Sequence, residues 1–130
     1  MMPLCREEGI ALIPWSPLAR GFLAGNRRRE DLGDTSRAKT DEYAHKLYYR
    51  DSDFAVVDRL SEVARRRGVK NVQVALAWVM AQPGITAPII GASKPGHLED
   101  ALAALSLRLD ESELNELAEP YQPHPVLGHN

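Results

Sequence analysis

Gly9-Ile10-Ala11-Leu12-Ile13-Pro14-Trp15, followed at once by Ser16-Pro17-Leu18-Ala19-Arg20-Gly21, is the stretch on which the fold turns. An apolar run rich in β-branched residues, entered through a glycine and closed by Trp-Ser-Pro-Leu, reads as a buried parallel strand over residues 9–15. Ahead of it, Pro3-Leu4-Cys5-Arg6-Glu7-Glu8 has the look of the last turns of a helix ending at Gly9, so the chain is expected to begin in mid-element. Downstream, Ile85-Thr86-Ala87-Pro88-Ile89-Ile90 predicts a second strand, ending in Gly91-Ala92-Ser93 where the backbone can turn sharply.

Residues 22–51 alternate basic and acidic without an apolar period and are expected to form a long loop, a length usually reserved for covering a site or staying mobile. Ser52 or Asp53 can then cap a helix carrying Phe54, Val57, Leu60 and Ala64 at helical spacing up to Gly68. Asn71 is placed to cap a second helix, apolar on most of its circumference through Val72, Ala75, Leu76, Trp78, Val79 and Met80 and stopped by Pro83-Gly84. Pro95 suits the first turn of a third helix with Leu98, Leu102 and Leu105 on one face. Asp110 with Glu113 forms a capping box for a fourth, bearing Leu114 and Leu117. Residues 120–130, with three prolines, are expected to be extended. Strands separated by helices imply an α/β protein with a parallel sheet. Two strands alone would leave edges and faces open, so the sequence reads as part of something larger.

The chain has 130 residues, 44% of them hydrophobic and 26% charged, with a formal net charge of -2. This is the make-up of an ordinary soluble globular domain. The only basic clusters, Arg27-Arg28-Arg29 and Arg65-Arg66-Arg67, do not amount to a cationic face for nucleic acid. Cys5 is the single cysteine, which excludes an intrachain disulfide, and no Cys/His spacing suggests zinc. The longest apolar stretch, Val74 to Ala81, falls far short of the ~20 residues that span a bilayer. A reducing, cytoplasmic setting is expected.

Both strand candidates end in turns suited to close backbone approach, Trp15 to Gly21 and Gly91-Ala92-Ser93-Lys94. In parallel α/β proteins such carboxyl-terminal strand ends share the face where sites are assembled. At the second turn an anion would meet helix N-terminal N–H groups and the Lys94 ammonium, although the same pattern also serves as a plain turn and cap. No acid–base machinery can be assigned. His45, His97, His124 and His129 read as surface residues, Ser16 is not in a nucleophile elbow, and for Tyr43, Tyr48 and Tyr49 no neighbour that would lower a phenol pKa can be assigned from sequence.

Taken together, Ile13-Pro14-Trp15-Ser16-Pro17-Leu18-Ala19-Arg20-Gly21, Val72-Gln73-Val74-Ala75-Leu76-Ala77-Trp78 and Pro88-Ile89-Ile90-Gly91-Ala92-Ser93-Lys94 resemble consecutive blocks of the aldo-keto reductase superfamily. The ending Pro120 to Gly128 is similar to its bacterial YajO-like branch. The resemblance implies the carboxyl-terminal part of a (β/α)8 TIM barrel, namely its last two strands with their helices and the carboxyl-terminal extension. It also implies an NADP(H) site in an enzyme that reduces aldehydes and ketones with NADPH. By that likeness Trp15 stacks on the nicotinamide and Ser16, Pro17 and Leu18 follow the pyrophosphate, with Arg20 and Gly21 finishing the turn. Arg37 matches a basic residue near the adenosine phosphate. Gly91, Ser93 and Lys94 match the 2′-phosphate positions, where a cation favours NADPH. His97 and Asp100 fall beside the adenine, where Ala101 replaces an amide and loses a hydrogen bond. The family's Tyr, Asp, Lys and His have no counterpart here, so no catalytic residue is assigned and the chain alone is expected to be inactive. The alternatives are a non-catalytic binding or interaction module, or a truncated relic that self-associates through open sheet edges.

Overall fold

A computed structural model describes residues 1–25 and 47–124. Its regular elements are five α-helices among the described residues, α1 (Met2–Glu7), α2 (Asp51–Arg67), α3 (Asn71–Met80), α4 (Pro95–Ala104) and α5 (Glu111–Ala118), with a 3₁₀ segment at Ala19–Ala24. The helix order expected from apolar spacing is therefore met, including the short helix before Gly9, which leaves it at φ +66°.

The two strands are not. No β-strand forms among the described residues, and segments 9–15 and 85–90 touch only at two isolated parallel bridges, Leu12 to Ile85 and Trp15 to Ile89. The described fold is almost entirely helical, which corrects the expectation of an α/β unit cut from a (β/α)8 TIM barrel. The physical reason lies in the two segments themselves. Three residues take the first from Leu12 to Trp15 while four take the second from Ile85 to Ile89, so the pairing slips by one residue and cannot continue as a ladder. Pro14 and Pro88 fall inside the paired stretches and have no N–H to donate. The bonds that remain, Thr86 N–H to the Leu12 carbonyl and Ile89 N–H to the Pro14 carbonyl, both 2.8 Å, run from the second segment to the first.

Packing centres on α2, α3 and α5. Leu60, Val63 and Ala64 from α2 meet Val74 and Ala75 from α3 and Leu117 from α5, and Leu18 and Leu23 pack onto this cluster from the segment after Trp15. A second cluster joins Phe22 to Phe54 and Val57. Phe22 meets Phe54 and Tyr49 edge to face, each at 5.1 Å between ring centroids, the arrangement that ring quadrupoles favour. On the outside, α2 is tied to α5 by Arg66 to Glu116 and by a two-pronged Arg67 to Glu113 contact, in which Nε donates to Oε1 at 2.6 Å.

The capping box at α5 is as expected. Asp110 accepts from the Glu113 N–H at 2.9 Å and Glu113 accepts from the Asp110 N–H at 3.0 Å. At α2 and α3 the caps fall one position or more earlier than expected, at Arg50 and Lys70, whose N–H groups donate to Asp53 and Gln73. The apolar stripe of α4 exists but is uncovered, with Leu98, Leu102 and Leu105 each at least half exposed, while Ala104 is wholly buried.

Candidate functional site

The Trp15 to Ile89 bridge sets the starts of the two turns side by side, and because it is parallel both segments leave it in the same direction. After Trp15 the backbone folds back tightly. Ser16, Ala19 and Arg20 all adopt positive φ, at 53°, 47° and 57°, and Gly21 follows at 91°. Each non-glycine residue held in this left-handed region costs roughly 1–2 kcal/mol. The turn persists because it is tied at both levels. The Ser16 hydroxyl accepts from the Arg20 N–H at 3.2 Å, the Ser16 carbonyl accepts from the Ala19 N–H, the Leu18 carbonyl accepts from the Gly21 N–H, and Leu18 and Leu23 are seated in the core.

The residues singled out from the sequence are distributed as follows. Trp15 presents its indole with 63% of the residue exposed. Ser16, Pro17, Leu18, Arg20 and Gly21 are partly buried in the folded-back turn. Gly91, Ser93, Lys94 and His97 are exposed at the start of α4, where Lys94 is the N-cap and Pro95 takes the first turn. Arg37 lies outside the described residues, as do Tyr43, His45 and His129. The Asp100 carboxylate meets the Lys70 ammonium at 2.8 Å and joins α4 to the start of α3.

Two features were missed. His124 is partly buried rather than a surface histidine, and its Nε2 lies 2.7 Å from Asp53 Oδ1, fastening the segment after α5 to the first turn of α2. Lys70 was not singled out at all. Tyr48 and Tyr49 pack around Phe22 as parts of the second cluster. Behind the turn lies an apolar cleft of about 500 Å³ walled by Pro17, Phe22, Trp78 and Tyr121. The Asp53 carboxylate on its wall accepts from the Arg50 N–H and faces His124. Among the described residues no group of three or more His, Cys, Asp or Glu side chains could hold a metal ion, and no helix is long and apolar enough to cross a membrane.

The chain is 40% identical over 128 residues to a Schizosaccharomyces pombe protein carrying the name aryl-alcohol dehydrogenase, covering 98% of this chain and 38% of the relative. It is 36% identical over 129 residues to the versiconal hemiacetal acetate reductase of Aspergillus parasiticus, covering 97% of this chain and 36% of that one. Its fold superposes with a TM-score of 0.71 on the glycerol dehydrogenase of Gluconobacter oxydans, at 20% identity, using all of this chain and 40% of the other. The chain thus spans a little over a third of the length of the curated relatives it matches. The aldo/keto reductase family model matches residues 1–122, a stretch that takes in both turns and every helix between and after them, and the chain belongs to that family.

Proposed function

We propose that this chain is the carboxyl-terminal, NADP(H)-binding part of an aldo/keto reductase, an oxidoreductase in which NADPH reduces an aldehyde or ketone, and that alone it does not turn over. The observation that carries the reading is the run of left-handed non-glycine backbone after Trp15, because strain of this kind persists where a ligand site requires it. The cofactor, when bound, supplies the hydride. This chain's residues would hold it. The exposed Trp15 indole offers a flat face for the nicotinamide. The folded-back Ser16 to Gly21 turn would offer its backbone to the pyrophosphate, and Arg37, by the family resemblance, would meet the adenosine phosphate. Gly91, Ser93 and Lys94 would receive the 2′-phosphate at the positive end of the α4 dipole. By the family resemblance His97 and Asp100 would fall beside the adenine, with the Asp100 carboxylate paired to Lys70. The match to the YajO-like branch and a cytoplasmic setting belong to the same reading, with a small carbonyl compound as substrate.

The test uses a full-length chimera of the S. pombe relative in which these residues replace their counterparts. Lys94→Ala is expected to weaken NADPH by about 1.5–3 kcal/mol, as for a lost hydrogen bond to a charged group, and NADH far less. Equal losses for the two cofactors in fluorescence titrations would remove Lys94 from the phosphate site.

A further inference from the structure

We infer that Lys70 is a positioning residue of the cofactor site, one that holds the Asp100 carboxylate as a hydrogen-bond acceptor for the exocyclic amino group of a 6-aminopurine base. The inference rests on the reading of this chain as the NADP(H)-binding part of its enzyme, and it adds to that site a residue from outside the two turns and α4.

Both members of the pair are rooted in fixed backbone. Lys70 stands immediately before α3, where its N–H donates to Gln73 Oε1 at 2.9 Å and its carbonyl accepts from the Gln73 and Val74 N–H groups. Asp100 lies within α4, three residues beyond His97, and residues three apart are neighbours on a helix surface. Between these two anchors the ammonium bridges the carboxylate, 2.8 Å from Oδ1 and 3.0 Å from Oδ2. A carboxylate gripped at both oxygens presents one orientation. Of its roughly four lone-pair sites the ammonium takes two, which leaves acceptor capacity for another donor. The Asp100 side chain is only 19% exposed while that of Lys70 is 69% exposed, so the acceptor is largely sheltered from competing water and its holder is not.

Lys70 does little for the helix that it precedes. An ammonium has no acceptor for the free N–H groups of a helix start, and positive charge there opposes the helix dipole. As a tie between helices the pair is weak as well, because solvent screens an ion pair with one partner this exposed. A residue that goes against local rules and adds little stability is of the kind retained at functional sites. What the ammonium does achieve is to fix and neutralise Asp100. A planar base with an amino group at its 6-position donates to such a carboxylate, whereas a 6-oxo base sets an oxygen against it.

The test compares two dinucleotides in the full-length chimera, NADPH and its reduced hypoxanthine counterpart, in which an oxygen replaces the 6-amino group. The parent is expected to prefer NADPH in fluorescence titrations. Lys70→Ala should narrow that preference by about three- to tenfold, the scale of one net hydrogen bond, with circular dichroism and melting temperature unchanged, and Lys70→Arg should keep most of it. A preference that Lys70→Ala leaves intact overturns the inference, and a fall in melting temperature in its place makes the lysine a structural tie only. A parent that binds NADPH but does not distinguish the two dinucleotides also overturns the inference while the cofactor reading stands. A parent that binds neither removes both.

Discussion

Ala19 carries a methyl group at φ +47°, a conformation that glycine adopts without strain. Ala19→Gly should therefore stabilise the chain, by about 0.5–1 kcal/mol once the extra freedom of glycine in the unfolded state is set against the relief. A fall in the denaturation midpoint would show that the left-handed turn is not strained. At this scale the sequence was informative where partners are close along the chain. Asp110 and Glu113 stand three apart and were readable as a box, and Pro95 as a first-turn residue. It was silent where partners are distant. Asp53 and His124 are separated by 71 positions, and Lys70 and Asp100 by 30, and no local pattern announces either contact. Asp100 illustrates the point: its family block names the residue, whereas its pairing with Lys70 appears only in the structure.

Among elements, α5 depends most on single polar groups. Asp110→Ala removes the side-chain acceptor for the Glu113 N–H and is expected to cost ~1 kcal/mol. Glu113 has a second role. Its contact with the Arg67 guanidinium, chiefly the hydrogen bond, holds its carboxyl below the ordinary glutamate range against the opposing effect of burial. A carboxylate whose folded pKa is depressed stabilises fully above its unfolded value, and that contribution is lost as pH falls through the lowered folded value. Glu113→Gln should thus destabilise the chain at pH 7, with the difference from the parent shrinking below the usual carboxylate range of ~4–4.5. A difference that stayed constant down to pH 3 would assign the effect to the capping geometry instead of the charge. Helices were legible because their apolar period is set by local geometry. The two strands were misread because an apolar β-branched run predicts extended backbone, whereas a ladder also needs matching register and N–H donors, and Pro14, Pro88 and the one-residue slip deny both.

For the molecule as a whole, the exposed apolar residues Ile13, Trp15, Ile89, Leu98, Leu102 and Leu105 should make the isolated chain associate with itself. Sedimentation over a range of concentrations is expected to show species larger than the monomer, and a compact monomer with a cooperative melt would contradict this. Purified alone, the chain should not oxidise NADPH in the presence of nitrobenzaldehyde at any cofactor concentration. General acid–base assistance is typically worth 10²–10⁴-fold, and the prediction rests on the proposal that the family's proton-donating residues have no counterpart in this chain. Turnover above a blank would point to an unassigned proton donor. Family membership was legible from three ordered blocks, whereas the open apolar faces became plain only from exposure, since a leucine stripe has the same spacing whether or not anything packs against it.

The unequal count between the two bridges acts as a phase shifter. Extended backbone alternates sides with each residue, so an odd step from Leu12 to Trp15 reverses the side, and an even step from Ile85 to Ile89 should not. Ile89 nevertheless sits on the open side with Trp15, because one surplus residue between the bridges supplies the missing half-turn. The side on which the chain leaves Ile89 toward α4 consequently depends on the parity of a short segment that contributes no ligand-binding residue of its own. Deleting Ala87 would alter no residue assigned to the cofactor, yet in the full-length chimera it should move Ile89 off the side it shares with Trp15 and lower NADPH affinity in a fluorescence titration; an unchanged affinity would show that the parity does not matter.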